Sequence, residues 1–497
     1  MTAFADTAAF PFRLLLPETI LAGGLLATLL TSLGKGPAWR KLAALLAAAA
    51  AIGAFVASLD AGAGAVGTTI AGDSFVDRTV AMLRVDAIAT IVRPAITALL
   101  ALCVFARSID RDDAGDGEAW HACTLGIGLG ALLVTSAANT IPMWLGLELV
   151  SLGSYALAAW RGGDRRAAEA GMKYVLFGGA ATGLMLFGTS HLYGLTGHLD
   201  FAGIGHVLGQ GASPATAAAL CLAAVGAAYK LTVVPFHVYA PDVYQGAPPT
   251  SVAVVATLPK LAAGAVLLRA LPLVLPANVA PPGSAAAGLA IVAFVSLAVG
   301  AVMATVQRDA RRILAFSGIG HGGTAVLAMA AMPGATSGGA ASATMLQLLA
   351  YAAAAFGAFV CLGILERDTN STDLEALRGA GRRRPWTTGA LCLFLASLVG
   401  IPPLAGFLAK WAVIATAVTA GPWPFAAVGA LLVTTAVFAF AYLRIVRAAV
   451  LTEPAHEIPC APPPWPATLA VVVAALVVLG LGLWLDVLAV LTRELAS

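Results

Sequence analysis

Five ionisable side chains interrupt apolar stretches long enough to cross a lipid bilayer: Glu148, Lys173, Lys230, Lys260 and Lys410, each read as lying near the middle of its stretch. A charge at a helix centre costs roughly 2.5–3.5 kcal/mol on an insertion scale, so such groups face a bundle interior or a wet cavity and mark ion or proton paths. A carboxylate and an amine sharing a low-dielectric site can exchange between an ion pair and a neutral pair at little free-energy cost. That exchange is what a proton relay needs. His321, in FSGIGHGGTAV, adds an imidazole that titrates near neutrality and is read as a relay member. His237 follows Pro235 and is read as an accessory link to a surface. His121, His191, His198, His206 and His456 lie near stretch ends or in loops and are read as ordinary. The competing reading is a static set of ion pairs that locks helices together. Five titratable groups on five stretches, two of them broken, favour the relay.

The elements that must position these groups follow from composition. Of 497 residues, 60% are hydrophobic and only 11% charged, with a mean hydropathy of +0.90. Soluble domains carry about 25% charged residues, so the chain reads as an all-α polytopic membrane protein. Windows of about 20 apolar residues predict fourteen spans, at 14–33, 41–59, 87–106, 120–137, 140–160, 170–194, 216–239, 247–271, 285–306, 311–331, 339–365, 387–417, 422–446 and 465–488. The chain is one membrane domain: residues 1–119 hold spans one to three, 120–271 spans four to eight, 285–447 spans nine to thirteen, and 465–488 the last. Glu148 is the one carboxylate well inside spans four to thirteen.

Basic residues set the orientation. The odd-numbered loops hold Lys35, Arg40, Lys41, Arg107, Arg111, Arg161, Arg165, Arg166, Arg308, Arg311, Arg312, Arg367, Arg378, Arg382, Arg383, Arg384, Arg444 and Arg447. The termini and even-numbered loops hold only Arg13, Arg78, Arg84, Arg269 and Arg493. Cytoplasmic loops are enriched in Lys and Arg, so both termini are expected outside. Arg93, beside Pro94, is expected to snorkel or to pair with Asp86.

Two spans are interrupted by proline, which removes a donor and clashes with the preceding turn. Span seven carries Pro235 beyond Lys230, and span twelve carries Pro402 and Pro403 ahead of Lys410. Irregular backbone at membrane depth is tolerated only inside protein or beside water, and broken helices in matching positions of two repeats point to a transport site. Spans seven and twelve are five apart. The expectation is therefore two inverted five-helix repeats, spans 4–8 and 9–13, with helices 7 and 12 broken.

Other chemistries are excluded. The six cysteines are scattered singly, with no CxxC or Cys/His cluster for zinc or iron–sulfur ligation. Walker A, GxSxG and HExxH patterns are absent. Nothing in the chain is equipped for redox chemistry or nucleic-acid binding.

The stretches MWLGLELVSLGSYALAAW, AAEAGMKYVLFGGAATGLMLFGTSHLYGLTG, YKLTVVPFHVYAPDVYQGAPPTSVAVVATLPKLAA, QRDARRILAFSGIGHGG and IPPLAGFLAKW resemble the N-type antiporter-like subunits of the bacterial respiratory NADH:quinone oxidoreductase (complex I). The mitochondrial counterpart is subunit 2, and the likeness runs over essentially the whole chain. It implies that Glu148 corresponds to the glutamate of helix five, Lys173 to the lysine of helix six, and Lys230 to the lysine of helix seven that pairs with that glutamate. It further implies that Lys260 is the connecting lysine of helix eight, His321 a polar connector of helix ten and Lys410 the terminal lysine of helix twelve.

By the same resemblance this chain is a translocase subunit without a redox centre of its own, moving protons as electrons pass from NADH to quinone elsewhere. NADH, FMN, iron–sulfur clusters and quinone are expected in partner subunits. Partners are expected to be an M-type antiporter-like subunit, small K-, J- and A-type subunits and the lipid of a bacterial inner membrane. Lys410, where an M-type chain carries glutamate, and the end at Ser497, short of an L-type lateral helix, favour the N type. Gln245, in DVYQGAPPT, departs from the glutamate expected there. An Mrp-type or free-standing cation/proton antiporter subunit is the alternative.

Overall fold

The computed structural model describes residues 14–34, 36–63, 82–110, 117–160, 164–211, 213–275, 284–332, 338–453, 460–484 and 486–496. Arg13, Lys35, Arg78, Arg111, Arg161 and His456 lie outside the described residues. Every regular element among the described residues is helical. In chain order these are α1 (Leu16–Thr31), α2 (Pro37–Ala63), α3 (Ala87–Ala106), α4 (Gly117–Ser136), α5 (Thr140–Ala158), α6 (Arg165–Thr196) and α7 (Phe201–Gly209). They continue as α8 (Pro214–Ala223), α9 (Val225–Leu231), α10 (Ala240–Gly246), α11 (Pro249–Val274), α12 (Ser284–Val306), α13 (Ala310–Met329) and α14 (Gly338–Thr369). The last are α15 (Ala380–Arg383), α16 (Pro385–Val399), α17 (Ala405–Thr419), α18 (Pro422–Val446), α19 (Trp465–Leu483) and α20 (Val487–Ala496).

Among the described residues eleven helical stretches are long and apolar enough to cross a membrane; α1, α16 and α17 are apolar but shorter. This is a multi-pass helical membrane protein. Four exposed tryptophans sit at helix ends, Trp39 in α2, Trp386 in α16, Trp423 in α18 and Trp465 in α19, as expected of residues that favour the membrane–water boundary, whereas Trp411 is exposed in the middle of α17. Helix starts are set by short polar side chains that satisfy otherwise orphaned N–H groups. Asp86 accepts from Ala89 N, Asp164 from Arg166 N and Asp309 from Arg312 N.

The core lies around α11 and α14, whose apolar windows are each 94% buried, with α13 buried along nearly its whole length beside them. By contrast α6 buries only 28% of its window and turns Met172, Leu176 and Phe187 outward. The short helix α7 was not anticipated from the sequence. Its Gly205 lies so close to α11 that a Cβ there would stand 1.8 Å from Leu273 O.

Two interruptions shape the interior. The α9 helix stops at Leu231, Thr232 takes a left-handed conformation (φ 58°), and helix resumes only at Ala240; the Val234–Pro235 peptide is cis. The α16 helix stops at Val399, Gly400 is left-handed (φ 94°), Pro402–Pro403 is cis, and α17 begins at Ala405. Glycine adopts this conformation freely, whereas for a β-branched residue it is strained.

Candidate functional site

Both interruptions expose the last carbonyls of a helix, which have no partner inside it. Each is met by a lysine. Lys260, on α11, donates from Nζ to Leu231 O at 3.1 Å, to Gly318 O at 2.6 Å and to Thr232 Oγ1. An ammonium has three N–H donors, and here all three are used. The strained Thr232 is thereby fastened to both α11 and α13. Lys410, on α17, donates to Val399 O at 2.7 Å and to Thr435 Oγ1 at 3.3 Å. A cation at a helix C-terminus also complements the helix dipole. Both lysines are buried, at 2% and 8% exposure.

Lys230 is held differently. It is buried in the last turn of α9, and its Nζ makes no hydrogen bond among the described residues. It stands instead 5.4–5.5 Å from the ring centroids of Tyr155, Tyr174 and Tyr229. Aromatic faces attract a cation within about 6 Å, the more so when it is desolvated. Hydrogen bonds from Tyr229 Oη to Tyr174 O and from Tyr239 Oη to Tyr229 O, each 3.0 Å, fix the ring cluster.

Glu148 is half-buried on α5, and its Oε1 accepts from Thr182 Oγ1 of α6 at 2.6 Å. No ion pair joins it to Lys230 among the described residues, because the tyrosine rings surround the amine and Thr182 engages the carboxylate. The direct pair expected from the resemblance is therefore absent in this conformation.

His321 is buried on α13, with Nδ1 3.0 Å from Gln347 Nε2 of α14 and its ring 5.2 Å from that of Tyr351. His321 and Lys410 line one cavity of about 10 Å³ together with Thr324, Thr434, Thr435 and Phe438. That is about the space a single water occupies. Lys260, His321 and Lys410 thus form a file of buried bases, the last two sharing one small cavity of mixed polar and apolar lining. His237 lies half-buried inside the first interruption, and its Nδ1 has no partner among the described residues; Pro235, Pro402 and Pro403 are exposed.

Lys173 departs from its expected midplane position. The α6 helix begins at Arg165, ahead of the apolar run, which puts Lys173 in its third turn. Its side chain is 36% exposed and pairs with Glu169 Oε1 at 2.8 Å and Asp242 Oδ2 at 2.6 Å. Asp242 also binds Arg312 Nη1 at 2.6 Å, and Gln245 Oε1 accepts from the same Arg312 at 3.2 Å. Burial raises the Asp242 carboxyl, but hydrogen bonds from Lys173 and Arg312 outweigh it and hold it below the usual range. This is an ion-pair cluster near the Arg165 end of the helix.

Arg93 likewise has another partner than expected. It binds Glu18 of α1 and donates to Leu14 O at 2.8 Å, whereas Asp86 is taken by Arg269, whose Nε donates to Oδ2 at 2.7 Å. No pattern along the chain points to this pair: Glu18 and Arg93 are 75 positions apart.

The family model described as NADH:quinone oxidoreductase/Mrp antiporter, TM, matches residues 137–438, which hold Lys230, Lys260, His321 and Lys410. The chain belongs to that family. It is 32% identical over 441 residues to NADH-quinone oxidoreductase subunit N of Rubrobacter xylanophilus, with 88% of each chain covered. A chain of respiratory complex I from Thermus thermophilus superposes with a TM-score of 0.78 at 31% identity, covering 95% of this chain and 98% of that one. A chain of the Mrp complex from Dietzia sp. shares the fold, with a TM-score of 0.81 at 19% identity and coverage of 98% and 97%.

Within this family member, several site residues escaped the reading of the sequence. Gln347 carried a signal, being the one amide side chain in a largely apolar helix. Thr182, Thr232 and the tyrosines Tyr155 and Tyr174 carried none, since each acts through a neighbour brought from another helix. Among the described residues no group of His, Cys, Asp and Glu has metal-binding geometry.

Proposed function

We propose that this chain is a proton-translocating, antiporter-like subunit of the membrane arm of an NADH:quinone oxidoreductase, coupled to electron transfer that takes place in other subunits. The observation that carries the reading is the file Lys260, His321 and Lys410, buried in a helical membrane protein, with its two lysines on the carbonyl ends of the two interruptions. Charges this costly persist where they work. Glu148 and the caged Lys230 extend the file toward α5 and α6. Lys173 and Asp242 stand at its rim, and His237 lies beside the first interruption as an accessory.

The finer architecture belongs to the same reading. Fourteen crossings are obtained when α1 and α13 are counted with the eleven long stretches and α16 and α17 form one broken span. Two inverted units, helices 4–8 and 9–13 of that count, then place one interruption each. The excess of basic residues in odd loops puts both termini on the periplasmic side of a bacterial inner membrane. M-type and small K-, J- and A-type subunits are the proposed neighbours. NADH, FMN, iron–sulfur clusters and quinone are assigned to partner subunits. The higher identity to a complex I chain, 31% against 19% for the Mrp chain, favours this complex over an Mrp-type antiporter.

The test is Lys410→Arg in the native complex. Arginine keeps the positive charge but cannot lose its proton in a protein, so a static lock accepts it and a relay stalls. Assembled complex with at least a several-fold slower NADH-driven pH gradient in membrane vesicles is expected. A wild-type gradient with Arg in place refutes the relay.

A further inference from the structure

Between Lys260 and His321 stands a side chain that this relay leaves unused. Tyr351 belongs to α14, and its ring centroid is 5.0 Å from Lys260 Nζ and 5.2 Å from the His321 ring. The residue is 4% exposed, and its phenol oxygen is buried with no hydrogen-bond partner among the described residues. A Cβ built at Gly318 would stand 2.8 Å from that oxygen and 3.5 Å from Lys260 Nζ. The absent side chain therefore leaves open the space between hydroxyl and ammonium. Gly318 O, which accepts from Nζ at 2.6 Å, holds the lysine at the edge of that space. One turn before Tyr351 on the same helix, Gln347 fixes His321 through Nδ1. A single face of α14 thus addresses both bases.

We propose that the Tyr351 hydroxyl carries the proton between Lys260 and His321, a role that rests on the relay reading above. A phenol both accepts and donates a hydrogen bond. In the step, one proton of the Lys260 ammonium swings from Gly318 O onto the phenol oxygen as the phenol's own proton leaves for His321 Nδ1, the unprotonated nitrogen, from which the Gln347 Nε2 donor turns away. Lysine ends as a neutral amine, tyrosine as the same neutral phenol and histidine as an imidazolium, so one positive charge has moved and no group has been consumed. His321 then faces the cavity it shares with Lys410. A packing role explains the ring but not the hydroxyl, because a buried O–H without a partner is unfavourable and phenylalanine would fill the same space without it.

Tyr351→Phe in the native complex is the test, measured beside Lys410→Arg as NADH-driven pH-gradient formation in membrane vesicles. The Phe variant is expected to assemble at the normal level and to form the gradient several-fold more slowly. If Lys410→Arg stalls while Tyr351→Phe pumps at the wild-type rate, the hydroxyl is not the carrier and the proposal fails with the relay intact. If both pump normally, the relay reading fails and takes this proposal with it. Should the Phe variant not assemble, Gly318→Ala decides the matter, since it narrows the space while keeping every titratable group. A several-fold loss in assembled Gly318→Ala supports the proposal, and a wild-type rate overturns it.

Discussion

Replacing Glu18 by Leu would strand the Arg93 guanidinium in the contact between α1 and α3, where it is 2% exposed. Removing one partner of a buried ion pair costs about 3–5 kcal/mol, whereas replacing both by apolar residues is close to neutral. Among the described residues only Leu14 O, at 2.8 Å, remains as an acceptor, and arginine cannot shed its charge. The converse change, Arg93→Leu, leaves a carboxylate that can neutralise itself by taking up a proton. Glu18→Leu is therefore expected to cost more than Arg93→Leu, and the double variant less than Glu18→Leu alone. Cys103, buried on α3 at 1% exposure, is a built-in reporter. With labelling limited by transient opening, about 3–5 kcal/mol at 1.4 kcal/mol per tenfold corresponds to Cys103 modification faster by roughly a hundred- to a few thousand-fold. The assay is time-resolved thiol alkylation of the detergent-solubilised complex, read at Cys103 by peptide mass spectrometry. Wild-type labelling in Glu18→Leu, or a double variant that labels faster than either single one, would refute the argument.

Two further outcomes follow from the geometry. Gly406→Ala would place a Cβ 1.8 Å from the backbone Ser397 O, an overpacking worth about 1–3 kcal/mol; it should spread α16 from α17, displace Lys410 one turn on, and lower both thermal stability and gradient formation. Burial raises the Asp86 carboxyl, but the hydrogen bonds and charge of Arg269 outweigh it and hold it below the ordinary 3.8. A carboxyl depressed by folding stabilises fully above its unfolded value and loses that contribution as pH falls through the folded one. The Asp86–Arg269 pair should therefore stabilise evenly above about pH 4 and fade below it, and thermal melts of Asp86→Asn should approach wild type only in that acid range.

The sequence by itself determined the class of molecule and marked the two stretches, spans seven and twelve, where its backbone breaks. Mean hydropathy and window length demand membrane helices, because an unpaired backbone has no partner in hydrocarbon. Pro235, Pro402 and Pro403 fall in the two interruptions, where the lost N–H weakens the helix locally, yet Pro94, Pro259 and Pro272 lie inside continuous helices, so the fold decides which prolines break one. The same locality made Lys230, Lys260, His321 and Lys410 conspicuous as costly charges in apolar runs. What only the tertiary structure decided is whom each charge meets. Lys260 caps a helix end 29 positions earlier in the chain, Arg93 reaches Glu18 rather than Asp86, Lys230 enters a tyrosine cage instead of touching Glu148, and Lys173 lies at a helix rim in an ion-pair cluster. Hydropathy is a one-dimensional sum along the chain, while partner choice depends on helix rotation and depth, which are set by packing among distant helices.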